Sequence, residues 1–176
     1  MLLLWMACLN PKVQDSAGEI HCSLQTPSLE IGTGESSFEP IAEGASLVMV
    51  HGPQGGWHML GSMSLLNTGP VVELDFRIYD EESGVIVSDN HYRVGLVMDT
   101  ECSGFYPGMY GYLNVSGLSV GDLDTPPELL GGHILRMEMD ANDCTASQDE
   151  AGQCVRAERW SNSEILVEAA LDPIDM

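Results

Sequence analysis

Basic residues are scarce in this chain: six Lys plus Arg stand against 27 Asp plus Glu, for a formal net charge of -21. A field of that sign repels phosphate backbones and anionic lipid, so nucleic-acid binding and electrostatic membrane docking are disfavoured, while cationic partners are drawn in. The same charge also keeps a protein soluble. No apolar run is long enough to span a bilayer. No CxxC occurs, so a zinc ribbon or a redox dithiol has no local support. No segment keeps a helical period between caps, and no internal repeat points to a solenoid or propeller. Paired carboxylates, phosphate loops and cofactor motifs with usable spacing are missing as well, and an enzyme is not expected. Phe is rare, at three residues against ten Met, which assigns Met to filling core space.

What is present begins with "MLLLWMAC", an apolar run without a basic region before it. Its Ala-Cys end is similar to the end of a bacterial lipobox, with Trp5 where Leu, Val or Ile is usual, and it marks Cys8 as the expected lipidation site. Residues 9–27, polar and aperiodic with two Pro, read as a tether, and residues 28–176 as a single domain. With Cys8 lipidated, four cysteines remain and allow three pairings. The favoured one joins Cys144 to Cys154 and Cys22 to Cys102. The first bridge clamps the loop "CTASQDEAGQC" and is worth about 3 kcal/mol by loop entropy. The second ties the N-terminal segment to the body. Such bridges imply an oxidising compartment, hence a cell-envelope protein, periplasmic or anchored at the outer membrane, that meets the membrane only through its lipid.

From Ser28 onward the pattern is β. In "VVELDFRIYD", Val72, Leu74, Phe76 and Ile78 alternate with Glu73, Asp75, Arg77 and Tyr79, one face buried and one wet. Similar runs recur between turn-forming clusters such as "NTGP" and "DEESG", and only "TPPELLGG" offers a single turn of helix. About nine short strands imply an all-β fold, an antiparallel immunoglobulin-like β-sandwich. The stretches "LEIGTGESSFEPIAEGASLVMVHGPQGGWHM" and "LRMEMDANDCTASQDEAGQCVRAERW" resemble a group of uncharacterised secreted lipoproteins of myxobacteria and relatives. In those, a His-Gly-Pro-Gln-Gly-Gly-aromatic-His run opens an immunoglobulin-like domain. The resemblance covers most of residues 28–160 and implies an exported sandwich domain with no known activity.

The run "MVHGPQGGWHML" is the leading candidate site, with His51, Gln54, Trp57 and His58 as its ligand or partner contacts. If His51 pairs with His58 across a hairpin, the two imidazoles share a face, roughly 5 Å apart at Cβ. With Met49, Met59 and Met63 nearby, His51 and His58 then suit copper or zinc. If His51 pairs with Trp57 instead, the histidines point to opposite faces. Strand alternation places Trp57, Met59, Met63 and Leu65 inward and His58 on the rim. A structural turn built by Pro53 and the Gly residues needs no ligand.

Three further groups are weaker. Glu138, Asp140, Asn142, Asp143, Asp149 and Glu150 offer oxygens for a weak calcium site, without EF-hand spacing. The G-x-S-x-G match around Ser119, with Asp122 or Asp124 and His133, lacks the helix an elbow needs. Phe105, Tyr106, Tyr110 and Tyr112 form an aromatic cluster suited to a contact surface or to core. The reading that results is an exported, lipid-anchored, non-catalytic β-sandwich that binds an envelope protein or surface ligand, with periplasmic or surface metal binding through His51 and His58 as the alternative.

Overall fold

The computed structural model describes residues 22, 25–53, 55–118, 121–144, 154 and 160–173. In chain order these form β1 (Ser28–Thr33), β2 (Glu39–Pro40), β3 (Ala45–His51), β4 (Trp57–Leu66), β5 (Val71–Asp80), β6 (Ile86–Gly95), β7 (Val97–Thr100) and β8 (Ser103–Tyr112). The helix α1 (Pro126–Leu130), β9 (Ile134–Asp143) and β10 (Trp160–Leu171) follow. Cys8, Gln54, Ser119, Asp149, Glu150 and most of the expected tether lie outside the described residues. No described helix is long and apolar enough to cross a membrane.

The fold is β-rich, in two halves of one curled sheet. One half runs β6-β5-β9-β10-β3, and in the other β4 pairs with β8 on one side and with β1 and β3 on the other. β3 belongs to both, because Val50 and His51 pair with β4 while Ala45–Met49 pair with β10. The β3–β10 pair is parallel, which corrects the expectation of a wholly antiparallel sheet. Parallel neighbours need a long crossover, and here nearly the whole domain lies between them in sequence. The Gly44 amide starts this pairing by donating to the Leu166 carbonyl at 2.8 Å.

The period-two pattern of β5 decides the core. Val72, Leu74, Phe76 and Ile78 are buried, as are Leu135, Met137, Met139 and Ala141 on β9. The facing half contributes Met59, Met63, Leu65 and Met109, so methionine fills much of the interior. The Phe76 ring fits a notch where β4 and β8 carry glycine: a Cβ at Gly61 would sit 2.8 Å from that ring, and one at Gly111 would sit 2.7 Å from Ile78 Cδ1. β6 is tied to β8 by the Tyr92 hydroxyl, which donates to the Tyr110 carbonyl at 2.7 Å, and to the segment after β8 by the Asn114 amide, which donates to the Val87 carbonyl. The single helical turn forms as its sequence suggests, with the Thr125 hydroxyl donating to the Glu128 carboxylate at 2.7 Å.

Two disulfides staple the structure. Cys22 joins Cys102 over 80 residues, and Cys144 joins Cys154 over 10. The first fixes the start of the domain to the β7–β8 turn, and the second closes the loop between β9 and β10.

Candidate functional site

The β3–β4 hairpin sets His51 opposite Trp57 and Val50 opposite His58. Gly55 and Gly56 both take positive φ, 87° and 82°, a succession that suits only glycine. The Gly52 amide closes the loop on the Gly56 carbonyl at 2.9 Å. This register places the two histidines on opposite faces of the hairpin, so the expected His51–His58 ligand pair does not form. His51 instead stacks on the Trp57 indole, centroids 4.6 Å apart and planes 27° apart. Trp57 packs half-buried against the core.

His58 is not on the rim: it is 7% exposed. Its burial comes from β8, whose register sets Tyr112 opposite His58 and Tyr110 opposite Leu60. The imidazole meets Tyr110 edge-on at 4.7 Å, and the two tyrosine rings stack at 5.9 Å. Burial pushes the His58 pKa down, so the ring sits neutral beneath the tyrosines. Above it, Tyr112 stays 62% exposed and Tyr110 38% exposed. Tyr106 parts from this group, because it pairs with the inward-facing Met63 and packs against the core. The result is a small aromatic face, apolar in body and hydroxyl-tipped, of the kind that protein contacts use.

The acidic candidates divide by strand parity. Asp143 is buried with Met139 and Ala141, and its Oδ2 accepts the Gly69 amide at 3.1 Å. Glu138, Asp140 and Asn142 lie on the other face of β9. Of the calcium ligands foreseen in sequence, Asp143 is thus parted from Glu138, Asp140 and Asn142, while Asp149 and Glu150 lie outside the described residues. Glu138 and Asp140 are instead bound by Arg77, which donates to Glu138 at 3.1 Å, to Asp140 at 2.8 Å and to Asp75 at 2.9 Å. The hydrogen bond to Asp140 is the main cause that drives the guanidinium pKa further up. Among the described residues, the one cluster of potential metal ligands is Glu73 with Cys144 and Cys154, whose sulfurs are already bridged.

His133 is tied elsewhere than the Ser119 motif suggests. Its Nδ1 lies 2.9 Å from Oδ1 of the buried Asp80, which also accepts the Ser83 amide and hydroxyl. Burial pushes the Asp80 carboxyl up, but the hydrogen bonds from Ser83 and His133 outweigh it and hold the group below the ordinary carboxylate range. This cluster stitches the β5–β6 turn to the exit of α1. Asp122 and Asp124 are not its carboxylate. Neither the Arg77 network nor the Asp80–His133 pair was evident in the sequence, since both depend on long-range register.

Comparisons with known proteins add little. No family model and no curated protein matches the chain. Among solved structures, the CooA pilin subunit from enterotoxigenic Escherichia coli is similar over 82% of this chain and 99% of its own, with 9% identity and a TM-score of 0.37.

Proposed function

We propose that this chain is an exported, non-catalytic, immunoglobulin-like domain of the cell envelope, lipid-anchored at Cys8, and that it works by binding an envelope partner. The observation that carries the reading is the face formed by His58, Leu60, Tyr110 and Tyr112, where an exposed tyrosine pair rests on a buried neutral histidine. Tyrosines held rigid from below lose little side-chain entropy on binding, which favours a recognition role. The paired cysteines support export, because such bridges persist outside reducing compartments.

Cell fractionation with thiol trapping tests the placement. The full chain is expected in the envelope with both bridges oxidised, and Cys8→Ser is expected to release it from membranes. A fully reduced chain in the cytoplasm contradicts the reading.

A further inference from the structure

The tyrosine face is bordered by negative charge that nothing nearby neutralises. β1 and the turn into β2 run beside it. The Gly108 amide, two residues before Tyr110, donates to the Gly34 carbonyl at 2.9 Å, and the Thr33 hydroxyl donates at 3.1 Å to the carbonyl of Leu60, the cross-strand partner of Tyr110. Glu30 on β1, Glu35 in the turn and Glu39 on β2 are exposed, and none of them forms an ion pair among the described residues. All three described guanidinium groups, Arg77, Arg93 and Arg136, belong to β5, β6 and β9 in the other half of the sheet. We propose that the partner of the tyrosine face is a basic polypeptide segment, which lays a guanidinium or ammonium against the Tyr110 and Tyr112 rings, donates to His58 and is drawn in by Glu35 and Glu39. The inference rests on the reading of that face as a binding surface and adds the chemistry of what is bound.

The histidine beneath the rings points independently to a ligand. His58 is 7% exposed, its ring contacts are Tyr110 at 4.7 Å and Tyr112 at 6.2 Å, and neither nitrogen has a hydrogen-bond partner among the described residues. An imidazole left unpaired at such depth is costly. Neither nitrogen is sealed in, because the fully enclosed unpaired side-chain atoms among the described residues are Asn142 Oδ1 and Ser161 Oγ. A Cβ at position 52 would lie 3.7 Å from the His58 Nδ1, and Gly52 leaves that space open. Burial disfavours the imidazolium, so the ring keeps one bare nitrogen as acceptor for an N–H donor.

The surroundings narrow that donor to an organic cation. Tyr112 is 62% exposed and Tyr110 38% exposed, and a cation over an aromatic face is attracted by the ring quadrupole. An anionic partner meets the unpaired carboxylates, and a wholly apolar one leaves His58 without a donor. Among the described residues, the ligand atoms of these carboxylates and His58 do not gather in threes within 4.8 Å of one another, which disfavours a metal ion. The rings and carboxylates are spread over β2, β1, β4 and β8, roughly 14 Å at ordinary strand spacing, a width that suits a polypeptide segment better than a small amine.

Nuclear magnetic resonance titration of the full chain at low ionic strength tests the proposal by following the ring signals of His58, Tyr110 and Tyr112. The probes are an arginine-rich peptide, the same peptide with citrulline for each Arg, and argininamide. The arginine peptide is expected to bind and shift all three rings, and the citrulline peptide to bind at least tenfold more weakly. Tyr112→Phe keeps the π face and is expected to bind as wild type does, whereas Tyr112→Leu weakens binding roughly fivefold. Glu35→Gln is expected to weaken it roughly threefold, and Glu168→Gln, an equal loss of charge on β10, to leave it unchanged. The proposal is overturned if the arginine peptide leaves the three rings unshifted, if the citrulline peptide binds equally well, or if Glu168→Gln weakens binding as much as Glu35→Gln does. Argininamide binding as tightly as the peptide would overturn the polypeptide partner in favour of a small amine, and the same shifts on concentrating the chain alone would overturn it in favour of a second copy. An envelope protein cross-linked from position 112 alongside any of these results keeps the face as a binding surface and rejects its basic partner alone.

Discussion

Replacing Arg77 by Met keeps most of the aliphatic stem and removes the charge that holds three strands together. Asp75 of β5 and Asp140 of β9 are direct cross-strand partners, an arrangement that repels when nothing bridges it. Arg77 bridges it with donors at 2.9 Å and 2.8 Å, and a third donor reaches Glu138 at 3.1 Å. Each charge-assisted bond is worth about 1.5–3 kcal/mol when its partner is stranded. The Arg77 side chain is 22% exposed, so water screens part of this and the losses do not add. We expect a net cost of about 2–3 kcal/mol, below the range for breaking a fully buried pair. For a chain of this size that lowers Tm by roughly 4–12 °C. Urea melts followed by circular dichroism give the free energy directly. The deficit should shrink in acid, where carboxylates take up protons and the stranded repulsion fades. A deficit under about 0.5 kcal/mol, or one that does not narrow on acidification, would refute the reasoning.

Three other expectations follow from the same geometry. Gly61→Ala puts a methyl 2.8 Å from the Phe76 ring and 3.0 Å from Met139 Cε, at a cost of about 1–3 kcal/mol, and Phe76→Leu in the same chain should recover part of it in thermal melts. His58 is buried neutral with its pKa lowered, so protonation favours the unfolded chain: stability should fall as pH drops below about 6.5, and the difference in slope between wild type and His58→Gln isolates this contribution. Asp80 is held ionised by Ser83 and His133. Its stabilisation is present above about pH 3.9 and lost as pH falls through its lower folded value; acid-unfolding curves should show Asp80→Asn weaker by about 1–3 kcal/mol near neutrality, with the gap closing in acid.

Where structure follows from local pattern, the sequence was readable. The alternation in "VVELDFRIYD" separates the buried Val72, Leu74, Phe76 and Ile78 from the solvent face, and it did so without any knowledge of neighbours. Met59 and Met63 are core, as the parity they share with Trp57 and Leu65 implied, and Met49 on β3 is buried with them. What escaped depends on pairing between distant segments. Two consecutive left-handed glycines in the 52–56 loop chose the register that parts His51 from His58, a choice of one residue that composition does not encode. His58 looked like a rim residue because it shares strand parity with Ser62 and Ser64. Its cover comes from Tyr110 and Tyr112 on β8, and only the β4–β8 register brings them together. The parallel β3–β10 pair and the Arg77 lattice have no local signature for the same reason.

The central claim is that the tyrosine face meets a partner in the envelope. A photo-crosslinking amino acid placed at Tyr112 in the full chain tests this in intact cells, with the same substitution at the exposed turn residue Gly84 as control. The account expects a discrete cross-linked product from position 112 that is lost when Tyr110→Ser is added and is missing from position 84. Identical products from both positions, or no product from position 112, would contradict it.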